Sequence, residues 1–488
     1  MKRRGLVLPL VGILALLAIA CVSAPARRPE AVQITPPEQW TAPTDETESA
    51  SGEVSPDWWT EFNDPALSEI IGIALESNRD LLAAAARVDR AAAEARIAGA
   101  DLKPSIGVGA SGSRGKQNFV GFPDFGGGGA TGEVLSVTTS RFGVSLDVSW
   151  EIDLWGRLRA AARAGLANYQ ASEADYLGAR LSIAGQTAKS WFAVAAARQQ
   201  VELSEETVES WRDSYEQIHR RYREGLTSPL EVRLALANLE AAEADLETNL
   251  NLLDIAERQL EVILGRYPGR DLETTSALPE LPGPVPAGLP ADLVSRRPDL
   301  AAAERRLAAT DEQVKFAKRS LYPQLSLTGS AGTSTAEFGD LVNGDFSVWN
   351  LGVNLLQPIF QGGRLRAQVK VAEAGSSEIL ELFASQALKA YAEVEIALAS
   401  EGYLAGTTEH LGEAARQSVA AQRLAESRYY SGIEPYITVL ESQRRAVVAQ
   451  AAHINARRTV LDNRVDLYLA LGGGFEVSDE SPQEEITP

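Results

Sequence analysis

The chain has 488 residues, 45% of them hydrophobic, and a formal net charge of −20. That charge argues against nucleic acid as a partner, and a mean hydropathy of −0.12 argues against a bundle of membrane-spanning helices. One cysteine, Cys21, and three scattered histidines, His219, His410 and His453, exclude an intrachain disulfide and the common Cys/His zinc sites.

The N-terminus reads as a targeting segment. Lys2-Arg3-Arg4 is a basic n-region, and Gly5–Ala20 is an apolar stretch too short to span comfortably as a helix. It ends in Leu17-Ala18-Ile19-Ala20-Cys21, which is similar to a bacterial lipobox, although Ala18 stands where such boxes usually carry Leu. Residues 1–20 are thus expected to be a lipoprotein signal peptide and Cys21 the lipidated first residue. Their removal takes three cations and brings the net charge near −23. Residues 21–56, rich in Pro, Ala, Thr and Glu, read as an extended tether.

A helix is expected from Pro65, with Asp64 as N-cap, to Pro104, before which the chain must be extended. Strands follow at about 105–114 and 139–152. In the second, Phe142, Val144, Leu146, Val148, Trp150 and Ile152 alternate with Gly143, Ser145, Asp147, Ser149, Glu151 and Asp153. Period two places the two sets on opposite faces of a pleat. The period turns helical after Gly156, up to about Arg223. Val201, Val208, Trp211, Tyr215, Ile218 and Tyr222 keep a three-four spacing, as in a coiled-coil seam. Such a helix is ~100 Å long at ~1.5 Å per residue. A turn at Gly225–Pro229 starts a return helix with Val232, Leu236, Leu239, Leu246, Leu250, Leu253 and Leu260 in its seam, interrupted by Glu243 and Glu257. The two helices should pack as an antiparallel hairpin.

The chain then repeats itself. Asp80, Leu81 and Pro104 match Asp299, Leu300 and Pro323 at an offset of 219. Gly156–Ala160 matches Gly363–Ala367, Arg221-Tyr222 matches Arg428-Tyr429, and Gly225 matches Gly432, at an offset of 207. The slip falls between the strands, where the first copy carries a Gly-rich loop, Gly121–Gly129. The copies span 57–265 and 297–472, joined by a Pro-rich linker at 266–296, with an acidic tail at 473–488. The second copy has strands at about 324–333 and 347–357, where Trp349, Leu351, Val353 and Leu355 alternate with Asn350, Gly352 and Asn354. The fold class is α+β, mostly α.

Four strands cannot close a barrel. Unpaired edge groups in hydrocarbon cost several kcal/mol each, and small single-chain barrels need about eight strands. If these strands face lipid, several chains share one barrel. The competing reading is a soluble sheet packed on the helices, which explains neither the helix lengths nor the lipobox. On the barrel reading, Ser145, Asp147, Ser149, Asn350 and Asn354 line water, and Trp150 and Trp155 mark the periplasmic interface.

In order and in duplicate, several stretches resemble the TolC-like outer membrane factors, in particular the lipoprotein efflux channels of the OprM/NodT type. These are Trp58-Trp59 with Phe62, Asp64–Leu67, Asn78–Leu81, Trp150–Ala160, Arg296–Glu304, Leu321–Ser330 and the turns after Tyr222 and Tyr429. The resemblance covers nearly all the mature chain. It implies a homotrimer with a twelve-stranded outer-membrane barrel and a twelve-helix periplasmic tunnel. Partners would be a periplasmic adaptor and an inner-membrane pump, of the resistance-nodulation-division type, with cargo passing chemically unchanged. No cofactor is implied beyond the lipid on Cys21.

The resemblance also implies a gate at the periplasmic tip. Its tyrosine matches Tyr429 and the acid within reach matches Glu231. The family's two constricting aspartates fall on Thr438 and Glu441, and its tip arginine falls on Glu434. Glu434 beside Glu231 is expected to oppose closure near pH 7. Gly225 and Gly432 make the turns. Two other assignments compete with an efflux duct: the outer-membrane channel of type I protein secretion, and a periplasmic coiled-coil adaptor or scaffold. Adaptors usually have one hairpin, which favours the duct. An enzyme is disfavoured, because there is no metal cluster or nucleophile elbow, and Gly126–Gly129 lacks a following Lys-Ser/Thr.

Overall fold

The computed structural model describes residues 37, 39–42, 54–119, 135–272, 277–285, 288, 290 and 293–474. Cys21, the Gly-rich loop and the acidic tail after residue 474 lie outside them. A short 3-10 turn, Trp58–Phe62, precedes α1 (Pro65–Ser77) and α2 (Arg79–Ala100). Then come β1 (Ser105–Phe119), β2 (Leu135–Ile152), α3 (Arg157–Arg223) and α4 (Pro229–Ile263). The second round is α5 (Pro298–Arg319), β3 (Gln324–Thr335), β4 (Ser347–Leu356), α6 (Arg364–Tyr430) and α7 (Tyr436–Ala470). The long helices have the same lengths in both rounds, 67 and then 35 residues. No helix among the described residues is long and apolar enough to cross a membrane.

The helix expected from Pro65 to Pro104 is two helices. Asp64 caps the first, its Oδ1 accepting the N–H groups of Ala66 and Leu67 at 3.0 and 3.1 Å. Asn78 breaks it. Its Oδ1 accepts the N–H groups of Asp80 and Leu81 at 3.0 Å, which caps α2. Its Nδ2 donates to the Ile263 carbonyl at the end of α4, at 2.7 Å. A short amide competes with the helical ladder for backbone donors, so the chain turns there. Arg297 fills the same place in the second round and donates to the Ala470 carbonyl at the end of α7, at 3.1 Å.

The chain forms two compact units. One comprises, of the described residues, 90–119, 135–170 and 305–380. It contains the only sheet among the described residues, antiparallel throughout and ordered β1-β2-β3-β4. Both strands of the first round are longer than the alternation alone suggested, because β1 runs on to Phe119 and β2 starts at Leu135. Beneath the sheet, Gly165 on α3 packs on Ala95 and Ala98 of α2, and Ala167 packs on Ala308 and Ala309 of α5. Small residues let these helices approach closely.

The other unit contains residues 37, 39–42, 54–89, 171–304 and 381–474 of those described, and most of the buried core. Trp58 stacks on Tyr468 with ring centroids 5.0 Å apart, and Phe62 packs on Phe192 at 5.2 Å. The Trp191 indole donates to the second oxygen of Asp64 at 2.8 Å. The Trp58–Leu67 motif is therefore a plug that seats the start of α1 on the core. Val208, Trp211 and Ile218 of α3 are buried, as the seam requires, but Tyr222 is 42% exposed. In α4, Leu239, Leu253 and Leu260 are buried while Leu250 faces out. Glu257 does not interrupt the seam as an unpaired charge. It is buried and held by Arg198 and Arg270, each at 2.7 Å.

Candidate functional site: a two-faced sheet and two helix tips

In the first unit, the register carries the alternation of β2 across all four strands. Val108, Leu146, Ala331 and Trp349 form one row, and Ile106, Val148, Gly329 and Leu351 the next. Leu327 then joins Trp150 to Val353, and Leu325 joins Ile152 to Leu355. Partners in register share a face. Phe142, Val144, Leu146, Val148, Trp150, Trp349, Leu351, Val353 and Leu355 therefore stand on one face. Much of it is bare: Val108 and Leu351 are 78% and 76% exposed. The opposite face carries Ser145, Asp147, Ser149, Asn350 and Asn354. Contiguous exposed apolar area of this extent marks a surface that meets another apolar phase.

The aromatics at the helical end have their polar atoms satisfied. Trp150 Nε1 donates to the Leu102 carbonyl at 3.0 Å, and Trp155 Nε1 to the Pro323 carbonyl at 2.8 Å. Two ion pairs close the strand-to-helix corner on the polar side, Arg157 with Glu151 at 2.7 Å and Arg159 with Asp153 at 3.1 Å.

In the second unit, the two helix tips are built alike. At the end of α3, Gly225 N–H donates to Tyr222 O and Leu226 N–H to Arg221 O, both at 2.9 Å. At the end of α6, Gly432 and Ile433 make the same bonds to Tyr429 and Arg428. Both glycines have φ of +77°, the left-handed conformation that this helix ending requires. Past the turns the rounds diverge. Ser228 caps α4, accepting the Glu231 N–H at 3.4 Å, with Pro229 in the first helical position. Pro435 begins α7 with no side-chain cap.

These tips bring Tyr429 and Glu231 together. The Tyr429 hydroxyl donates to Glu231 Oε2 at 3.2 Å, and Thr227 Oγ1 donates to the same oxygen. Tyr429 is buried. Its ring packs on Tyr430 at 5.6 Å and Tyr436 at 5.4 Å, and the Arg221 guanidinium lies 5.1 Å from its centroid. Burial, reinforced by the Glu231 charge, pushes the Tyr429 phenol up from its ordinary value, against the pull of Arg221. Burial pushes Tyr436 up further still.

Glu434 behaves differently from the expectation. It pairs with Arg428, the repeat counterpart of Arg221, at 3.0 Å, while Glu231 is occupied by Thr227 and Tyr429. The charge expected to repel Glu231 is compensated within its own turn. Thr438 is half-buried, with its N–H on the Pro435 carbonyl. Glu441 is exposed and pairs along the helix with Arg445 at 2.6 Å. Tyr222 lies outside the cluster, for the counterpart of Tyr436 in the first tip is Pro229, which offers no aromatic ring. Four members were not singled out from sequence: Arg221, Thr227, Arg428 and Tyr436. The offset of 207 was the available signal, because it pairs Arg221 with Arg428 and Thr227 with Glu434.

A sheet with one bare apolar face and one polar face, in a chain with two rounds of long paired helices, defines a membrane-embedded duct protein of the TolC-like kind. The model of the outer membrane efflux protein family matches residues 70–266 and 289–473, and the chain belongs to that family. It is 32% identical over 472 residues to the pyoverdine export outer membrane protein OpmQ of Pseudomonas putida, covering 94% of this chain and 96% of the relative. It is 31% identical over 479 residues to the outer membrane protein OprJ of Pseudomonas aeruginosa, covering 96% and 97%. Among solved structures, the Campylobacter jejuni CmeC outer membrane channel superposes with a TM-score of 0.86 at 26% identity, over 94% of this chain and 96% of that one. The protein is an efflux channel of the outer membrane.

Proposed function

We propose that three copies of this chain close one twelve-stranded barrel and form a passive duct, through which small molecules delivered by an inner-membrane pump leave the cell. The observation that carries this reading is the sheet: it has two free edges, β1 and β4, and a bare apolar face. Edge groups in hydrocarbon are satisfied only by closure, and three sheets of four strands supply it. The polar face then lines the channel. Cys21 adds a lipid anchor to the same membrane.

At the tips, Leu226, Leu230, Ile433 and Ile437 are exposed in repeat-related pairs and offer an apolar surface to a periplasmic adaptor. The Tyr429–Glu231 bond is the latch of the gate. No group is transferred and no bond of the cargo is made or broken, so the duct works by geometry and field. The test is reconstitution of the mature protein in planar bilayers. Discrete, cation-preferring conductance from a trimer supports the reading. A monomeric mass in detergent together with no conductance in any variant overturns it.

A further inference from the structure

The apolar face of the sheet ends in two cations. Arg114 pairs in register with Ser140, and Lys116 with Thr138, so both continue the face that holds Ile106, Val108 and Ala110. Both are exposed. Arg141 pairs with Ser113 and belongs to the opposite, polar face. One row below Arg114 sits Phe142, its ring edge-on to Phe338 at 5.7 Å. Going toward the hairpin ends, this face thus passes from aliphatic to aromatic to cationic, the sequence of environments from hydrocarbon through interface to headgroup.

The spacing agrees. Trp150 is the interface aromatic near the helical end of the face, one row before its last, and Ser140 marks the level of Arg114 on the same strand. They are about ten residues apart, which at ~3.3 Å per residue and a strand tilt of about 40° gives ~25 Å along the normal, the height of an outer-membrane apolar band. The cations stand at the hairpin end of the strands, and the helices leave from the other end. With the helices periplasmic, the hairpin end meets the outer leaflet, which in such a membrane is phosphorylated glycolipid. Two cations on the rim of a chain carrying a net charge of −20 are complementary to that leaflet.

We infer that Arg114 and Lys116 form a binding surface for the phosphate groups of outer-leaflet glycolipid. This rests on the reading of the sheet as one third of a lipid-facing barrel. Each cation near an anionic surface strengthens binding about fivefold, so removing both weakens it roughly 30-fold at low salt, and less as salt rises.

The experiment titrates the purified full-length protein, in uncharged detergent, with the diphosphorylated glycolipid and follows its thermal midpoint. Wild type is expected to be stabilised, and Arg114→Gln/Lys116→Gln to need roughly 30-fold more glycolipid for the same shift. Arg141→Gln, on the other face, should titrate as wild type. The double variant should keep wild-type conductance in bilayers of phosphatidylcholine. The inference is overturned if the double variant titrates as wild type, if dephosphorylated glycolipid or phosphatidylglycerol stabilises equally well, or if Arg141→Gln removes the effect instead. Conductance separates the two levels: a conducting wild type without the glycolipid effect overturns only this inference, whereas a wild type that never conducts overturns the barrel beneath it.

Discussion

The hydroxyl of Tyr429 and the carboxylate of Glu231, 198 residues apart, meet at 3.2 Å and tie the end of α6 to the start of α4. Tyr429→Phe keeps the ring, its contacts with Tyr430 and Tyr436, and the Arg221 guanidinium over its face, and deletes only the donor. The expected loss is about 1 kcal/mol. Single-channel conductance should rise, with little change in the thermal midpoint. Unchanged conductance in Tyr429→Phe would show that the bond holds no gate.

The same bond sets a pH limit. The Tyr429 phenol is raised by burial first and by Glu231 second. A raised acid contributes stability that is fully present below its unfolded pKa of about 10 and lost as pH rises through the folded value. Conductance should therefore stay at its closed-state level up to pH ~10 on account of this group and rise above it. In Tyr429→Phe the alkaline step should be missing.

Glu434 gives a test of sign. Were it repelling Glu231, Glu434→Gln would tighten the gate. Its partner is Arg428 at 3.0 Å, with both side chains partly exposed. Removal of such a pair costs about 0.5 kcal/mol and frees Arg428, but leaves the Tyr429–Glu231 bond in place. The expected result is a conductance no lower than that of wild type. A clear fall would restore the repulsion.

How far these features were legible beforehand depended on the range of the physics. Strand alternation is local, so the sheet's two faces could be read from Phe142–Ile152 and Trp349–Leu355, and the register then extended them. The glycine turns were legible for the same reason. The break at Asn78 was not, because helix-forming sequence runs on both sides of it, Ile- and Leu-rich before and Ala- and Arg-rich after. Besides the local cap on Asp80 and Leu81, the amide gains a bond to the Ile263 carbonyl, which is distant in the chain and invisible to local pattern. Glu257 looked like a defect in a seam because Arg270, its partner beyond the helix, carries no periodicity. The tip was legible in position, through Tyr429 and Glu231. It was not legible in its bonding, because Glu434 could reach either Glu231 or Arg428 and only the folded turn chooses.

The N-terminal strap offers a further test, because part of the expected tether is docked. Thr41 N–H, Thr41 Oγ1 and Ala42 N–H all donate to Glu395 at 2.7–2.8 Å, and Trp40 packs on Tyr391 at 6.4 Å. Burial opposes the charge on Glu395, but these donors prevail and hold its pKa below the usual range. A lowered carboxylate contributes stability that is present above its unfolded pKa and lost as pH falls through the folded value. The strap should resist proteolysis at neutral pH and become cleavable in acid below pH ~4. Glu395→Ala should make it cleavable at pH 7, with α6 still folded by circular dichroism.

Adjacent residues on β4 give the sharpest test of the sheet. Trp349 is 81% exposed on the apolar face, level with Leu146 and Val108, while Asn350, level with Ser330 and Asp147, stands on the other. An arginine facing lipid near the midplane costs about 2–4 kcal/mol per chain, and three chains share the barrel. Trp349→Arg should therefore abolish assembly in the outer membrane, measured as heat-resistant trimer in the membrane fraction. Asn350→Arg places the same side chain one position away, facing water, and should assemble normally while shifting conductance toward anions. If both variants assembled alike, the apolar face would not be in contact with lipid.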